Sequence, residues 1–333
     1  FNVVGLGVIT AMFKSFYNGL RQSIQQWQMA LLMTVISLLV ALPLVLPTFW
    51  LIYDTTRRTA MAERMMADQI DPLWLIDLAN GQLSGFSIEG MGTLFGLSLV
   101  AIGLLYLLLH TLLTGGMVSL LVANDRHFRM WDFWAGGGLY FWRFFRLMLI
   151  SRLLQALVIA GTLIWLKKLG ALDQAATAYS EVVRKEWATA IGLVLAFGLI
   201  GLIFDYARVR TVTNGSVGMV SETIRTIRFT LRHLPSTVGL QLLVGLVGFG
   251  LFAGLVQLRA SIPQLSGGRV FAAFVIGQLA IGVRLWHRVW FTASQVELHR
   301  RITERYSAPD GSYAEEYTEP DAPGEEPETP ALI

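Results

Sequence analysis

The chain has 333 residues, 54% of them hydrophobic and only 15% charged, with no cysteine and a formal net charge of +3. A soluble domain carries roughly 25% charged residues, and a mean hydropathy of +0.55 is more apolar surface than a soluble fold of this size buries. The composition therefore excludes an ordinary soluble enzyme, and it also excludes disulfides, thiolate metal sites and cysteine catalysis. The net charge averages two regions. Eight acids and no Lys or Arg lie after Arg305, leaving 26 basic against 15 acidic residues, or +11, in the body.

In chain order, residues 1–28 read as an amphipathic helix lying on a membrane surface. In "MFKSFYNGLRQSIQQWQ", Phe13, Phe16, Tyr17, Leu20, Ile24 and Trp27 recur at helical spacing, with Lys14, Arg21, Gln22 and Gln25 on the opposite face. No small-residue cleavage site follows a short apolar core, so a signal peptide is not expected. The start at Phe1 fits a fragment or a trimmed chain. Six apolar runs then predict membrane-spanning helices near 29–53, 91–122, 144–166, 187–204, 237–258 and 270–290. They define an all-α transmembrane domain over 29–296 and a cytoplasmic tail over 297–333.

The second run holds no Asp, Glu, Lys or Arg from Gly90 to Asn124, ~52 Å as a straight helix at ~1.5 Å per residue. A helix of that length tilts, or breaks near Gly115 and Gly116. Between the second and third spans, "WDFWAGGGLYFWRFFR" reads as an aromatic belt rather than a phosphate loop, since no strand precedes the glycines and no Lys-Ser/Thr follows them. After the fourth span, "SETIRTIRFTLRHLP" predicts a second surface helix. Val220, Ile224, Ile227 and Leu231 form one stripe and Arg225, Arg228 and Arg232 another; Ser221 is the candidate N-cap and Pro235 the terminator. From Ser307 the tail, rich in proline, glycine and acid, lacks the apolar content to fold and is expected to be disordered.

Polar groups inside the spans are few: His110, Arg152, Asp205, Gln241, Gln278 and Arg284. Ionisable groups in hydrocarbon are costly and mark functional candidates. Arg152, Asp205, Arg208, Arg284 and Arg288 form a candidate inner-rim ion-pair network or lipid-headgroup site. Asp205 is too short to reach far, so Arg152 or Arg284 on a neighbouring span is its expected partner. His110 and Gln278 form a candidate mid-membrane polar pair, with His110 expected to hydrogen-bond within the bundle. In the fifth span, Gly245, Gly248, Gly250 and Gly254 are candidate helix-packing positions, since small residues let backbones approach. Asp68, Asp71, Asp77 and Glu89 lie in the 54–90 loop without a histidine, so no metal site is expected there. No catalytic constellation and no cofactor motif stands out.

The entry helix, the segment "GGMVSLLVANDRHFRMWDFWAGGGLYFWRFFRL", and "DYARVRTV" followed by "IRFTLRHLP" together resemble an uncharacterised group of bacterial six-span integral membrane proteins, over about residues 10 to 300. That resemblance implies a bacterial plasma (inner) membrane and no particular activity. An entry helix followed by six spans is also similar to the membrane half of an ATP-driven exporter, but a nucleotide-binding domain and long helical extensions are missing.

The preferred sequence reading is a non-catalytic membrane subunit: a transport-accessory, scaffold or lipid-associated protein. Its partners would be anionic lipid headgroups, other proteins or a second copy of the chain, and not nucleic acid, since the basic residues flank apolar runs. A small permease with a cavity between spans 2, 3, 4 and 6 is the alternative, and a membrane-embedded lipid-modifying enzyme the remaining one. Lys and Arg number sixteen in segments on the side of the N-terminus and nine on the other side, which predicts that both termini are cytoplasmic. Reporter fusions after Arg305 and in the 54–90 and 166–186 segments check this: the first should read as cytoplasmic and the other two as external.

Overall fold

The computed structural model of the chain describes residues 2–58, 91–124, 128–173, 179–215, 218–263 and 266–306. Asp68, Asp71, Asp77 and Glu89, and the tail from Ser307, lie outside them. The described residues form eight helices: α1 (Asn2–Gln25), α2 (Trp27–Arg58), α3 (Met91–Ala123), α4 (Met130–Asp173), α5 (Tyr179–Thr213), α6 (Met219–Arg232), α7 (Leu234–Ala260) and α8 (Gly267–Tyr306). No strand occurs among them. All but α1 and α6 carry windows long and apolar enough to span a membrane, six in all. The chain is an all-α, multi-pass membrane protein.

The tightly packed core lies at one end of the bundle. Met29 and Met33 of α2, Met117 and Leu121 of α3, Phe133 and Phe144 of α4, Phe204 and Ala207 of α5, and Val289 and Ala293 of α8 form one buried cluster. Leu202 and Tyr206 of α5, Leu240 and Val244 of α7, and Trp290 and Leu298 of α8 form a second, against Met12, Phe16 and Leu20 of α1. We call this the α6 end. In the opposite half the large apolar side chains turn outward, among them Leu104 and Leu105, Leu157 and Leu163, Val194 and Leu195, and Phe271 and Phe274. That is the expected state of side chains that face lipid tails.

Between spans there is little hydrophobic gain to be had, so close backbone approach holds them together. α3 runs unbroken through Gly115 and Gly116, and Gly136, Gly137 and Gly138 lie inside α4 rather than in a loop. Together the glycines let the two helices interlock. A Cβ on Gly116 would stand 2.4 Å from the Phe133 carbonyl oxygen, and one on Gly137 2.9 Å from that of Leu112. The run of glycines that looks like a loop in sequence is therefore a helix-crossing surface. Of the four glycines expected to pack in α7, Gly248 makes the close approach, where a Cβ would overlap the His287 ring, while Gly245, Gly250 and Gly254 have nothing within 4 Å of that position.

α1 turns a stripe of small and polar residues inward. Ser15, Gly19 and Ser23 are buried, as is Gln26 just beyond the end of the helix, a Cβ on Gly19 would stand 2.6 Å from the Ser294 backbone nitrogen, and Trp290 donates to the Phe16 carbonyl at 3.3 Å. Phe16 and Leu20 pack into the second cluster, whereas Phe13, Tyr17, Ile24 and Trp27 face outward. α6 has the same polarity. Met219, Glu222, Thr223, Thr226 and Thr230 are buried, and Ile224, Ile227 and Leu231 are on the outside. Two of the buried threonines donate to the preceding turn, Thr226 to the Glu222 carbonyl at 2.7 Å and Thr223 to that of Met219 at 2.7 Å. The N-cap of α6 is Gly218, not Ser221; Ser221 donates to the Gly218 carbonyl at 2.9 Å, one turn in. Pro235 sits in the first turn of α7 and so opens that helix rather than closing α6.

The glycine interlock gives a direct test. Gly116→Ala should lower stability by about 1–3 kcal/mol through overpacking against backbone. Gly250→Ala, with open space beside it, should be neutral or raise it by up to ~1 kcal/mol through helix propensity. Thermal unfolding of both variants in detergent checks the contrast.

Candidate functional site

Where the tight half of the bundle gives way to the open half, a cavity of about 420 Å³ lies between α3, α4, α5 and α8. Each helix brings polar groups to it at helical spacing: Tyr106, His110, Thr111 and Thr114 from α3, Ser151, Arg152 and Gln155 from α4, Asp205 and Arg208 from α5, and Arg284 and Arg288 from α8. Leu107, Phe144, Met148 and Phe204 supply its apolar wall. A smaller chamber of about 110 Å³ adjoins it toward the α6 end, sharing Thr114, Asp205, Arg208 and Arg288 and adding Thr292 and Gln295. On the far side of Arg288, a third cavity of about 450 Å³ opens between α2, α3, α7 and α8. Arg284 and Arg288 border both large cavities, so the two guanidiniums stand at the crossing of the spaces in the bundle.

The residues singled out in sequence converge here, but not with the expected pairings. Asp205 receives its ion pair from Arg208 on its own helix, at 2.6 Å, and not from Arg152 or Arg284. An i,i+3 neighbour is already within reach on the helix surface, whereas the other two arginines stand on different walls of the cavity. Arg152, near the midpoint of α4, donates to Gln155 at 2.9 Å. Arg288 donates to His110 Nε2 and to the Thr114 hydroxyl at 3.3 Å. An arginine has no acceptor to offer, so the guanidinium is the donor in this contact. Arg284 has no ion pair or side-chain hydrogen bond among the described residues. Gln278 does not border the cavity, and its side-chain oxygen is buried without a partner among the described residues.

Four guanidiniums thus face one carboxylate, and that carboxylate neutralises only Arg208. An unpaired arginine in the middle of a span is costly unless water or an anion solvates it. The arrangement can hold an anion, with Arg providing forked, bidentate donors and Thr111, Thr114 and Ser151 providing hydroxyls. Among the described residues no group of His, Asp and Glu is placed to hold a metal ion.

Two polar clusters near the α6 end were not foreseen. Glu222 of α6, 1% exposed, pairs with Arg210 of α5 at 2.8 Å, and the Arg210 guanidinium also lies 5.4 Å over the Phe229 ring. Glu297 of α8, also buried, accepts from Asn18 of α1 at 2.9 Å, from Arg301 at 2.6 Å and from Arg300. A buried carboxylate in an otherwise exposed-looking "SETIR" was the available signal for the first; for the second it was an acid flanked by two arginines one turn away. The turn between α5 and α6 needs Gly215, whose φ is +64°, and its carbonyl accepts from Arg143 of α4 at 3.1 Å.

Comparison with known proteins finds no match. No family model, no curated protein and no solved structure corresponds to this chain. Function is therefore argued from the site itself.

The two carboxylates of α5 and α6 should behave differently. Glu222→Ala leaves Arg210 buried and unpaired and should cost about 3 kcal/mol. Asp205→Ala breaks a partly solvated pair on one helix and should cost less than about 1 kcal/mol. Thermal melts of the two variants in detergent give the comparison, with Glu222→Ala expected to melt markedly lower.

Proposed function

We propose that this chain is an anion-handling permease of the bacterial inner membrane, with both termini cytoplasmic and the binding cavity between α3, α4, α5 and α8. The observation that carries the reading is the cavity's charge: Arg152, Arg208, Arg284 and Arg288 against Asp205 alone, around a space of about 420 Å³. Ligand pockets of roughly 300–1,000 Å³ are usual for small organic molecules. Two cavities that share Arg284 and Arg288 in their walls also suit passage better than a purely structural ion-pair network, which would leave no room between its members. With the termini inside, the tight α6 end faces the cytoplasm and the open half of the bundle faces outward. A transport-accessory or lipid-associated subunit would use the same cavity to hold an anion without moving it.

Purified protein titrated with inorganic phosphate, sulfate and succinate tests the binding step. At least one should raise the melting temperature in a concentration-dependent way, by about 2.7 kcal/mol of added stability at one hundred times its Kd. Arg284→Leu together with Arg288→Leu should abolish the shift. Uptake of the stabilising anion into proteoliposomes then separates a permease from a subunit that only binds. The absence of any anion-dependent shift would overturn the reading.

A further inference from the structure

We propose that α1 and α6 form a collar that binds acidic phospholipid of the adjoining leaflet, with their apolar stripes seated at the acyl boundary and their basic stripes among the headgroups. On the orientation given above this is the cytoplasmic leaflet. The proposal does not depend on what the cavity holds.

The first observation is the sense in which the two helices are turned. Both bury a polar face on the bundle, so their apolar stripes point away from it. Ile224 of α6 is 63% exposed and Tyr17 of α1 64%, with Leu231 and Phe13 exposed beside them. Held outward in water, each of these side chains forgoes the free energy that leaving water supplies. Hydrocarbon removes that penalty.

The second observation is the charge beside each stripe. Arg225, Arg228 and Arg232 of α6 are exposed. At ~100° per residue they lie ~100° around the helix from Ile224, Ile227 and Leu231. Lys14 and Arg21 of α1 are exposed too, and on the same spacing lie ~70° from Phe13, Tyr17 and Ile24. The outward arc of each helix is thus divided into an apolar flank and a basic flank. A helix surrounded by lipid tails has no use for the basic flank, and one in water has no use for the apolar flank. A helix lying in the plane of a membrane surface uses both. Neither helix exposes an acid: α1 contains no Asp or Glu, and the one acid of α6, Glu222, is buried against Arg210. The outward charge is therefore of a single sign, which favours anionic over zwitterionic headgroups.

The third observation is that the two helices sit at one level. Asn18 of α1 bonds Glu297 of α8, and the Phe229 ring of α6 lies 5.2 Å from that of His299. Those α8 positions are two residues apart, or ~3 Å along the axis. On α4, Arg143 donates to the Gly215 carbonyl in the turn before α6. Its neighbour Trp142 is exposed, with the Arg146 guanidinium 5.9 Å over the ring. Tryptophan concentrates where membrane meets water. Two split helices and an arginine-capped tryptophan at one level fit a plane of headgroups better than the local contour of a protein partner.

The full chain in bilayers tests this. It has no cysteine, so a single substitution carries a nitroxide label cleanly. In vesicles of equimolar phosphatidylcholine and phosphatidylglycerol, labels at Ile224→Cys and Tyr17→Cys should collide with oxygen more than with a water-soluble nickel chelate, as at a depth of ~5–10 Å. A label at Arg228→Cys should show the reverse. Nickel access at all three positions would place the helices in water and refute the collar. Protection of the apolar positions from both agents would mean that protein covers the stripes, whether a second copy or the acidic segment after Arg305, and would refute it equally.

Lipid selectivity is read separately, from spin-labelled phosphatidylglycerol and phosphatidylcholine associating with the protein in phosphatidylcholine vesicles. The expected preference for the acidic lipid is at least about fivefold, near the attraction of one basic residue to an anionic surface. Lys14→Gln, Arg21→Gln, Arg225→Gln and Arg228→Gln combined should bring it below about twofold. So should ~1 M NaCl on the unmodified chain, where charges are screened within ~3 Å, and this arm needs no variant to fold. Arg284→Leu with Arg288→Leu should leave the preference in place. Equal affinity for the two lipids would overturn the acidic-lipid assignment. A preference lost only with Arg284 and Arg288 would put the lipid in the cavity and overturn the collar, without touching the anion-binding reading.

Discussion

The structure depends on a constraint that the bilayer imposes: one apolar helix gains little by leaving lipid for another apolar helix. Something other than greasiness has to hold the spans together, and here it is backbone proximity and polar locks. α3 and α4 meet through Gly115, Gly116, Gly136 and Gly137. α1 lies on α8 through Gly19, with Trp290 bonded to the Phe16 carbonyl. α5 and α6 are joined by Arg210 and Glu222, and α1 and α8 again by Asn18 and Glu297. These devices are concentrated at the α6 end. Beyond them the helices part, and the space that opens is the cavity.

The same constraint accounts for the cavity's charge. Far from water an arginine cannot stand alone, so each one at this depth has to find a neighbour or keep the site wet. Arg152 uses Gln155, Arg208 uses Asp205 and Arg288 uses His110 and Thr114. Only one of these neighbours carries a negative charge. The cavity is therefore cationic not because positive residues are numerous in the chain but because its acids are placed elsewhere, Glu222 and Glu297 being committed to locks nearer the α6 end.

The six spans were legible because a long uncharged apolar run has few other uses, and the residues of the site were legible because charge inside such a run is rare. Orientation about the helix axis was not. In α6 the sequence shows an apolar stripe of Ile224, Ile227 and Leu231 and a polar one, but amphipathicity does not state which stripe faces the protein. Here Glu222 and the threonines go inside and the apolar stripe faces out. Partners were illegible for a related reason. Asp205 has an acceptable donor on its own helix and others on the next, and only the width of the space between helices decides among them. Gln295 could not have been singled out at all, because a glutamine near the end of a long helix looks solvated until its neighbours are known to cover it.

α8 is 40 residues long, about 60 Å at ~1.5 Å per residue, and continuous from the open half of the bundle to the far side of the tight half. Arg284 and Arg288 sit on it in the cavity, and Glu297 sits on it nine residues beyond Arg288, or ~13 Å along the same axis. A helix of hydrogen-bonded turns is stiff over that distance. Whatever displaces the two arginines along or around the axis must therefore act as the short arm of a lever whose other arm ends at Glu297 and carries Asn18, and with it α1. The arginines of the cavity and the lock on α1 are thus carried by one continuous rod.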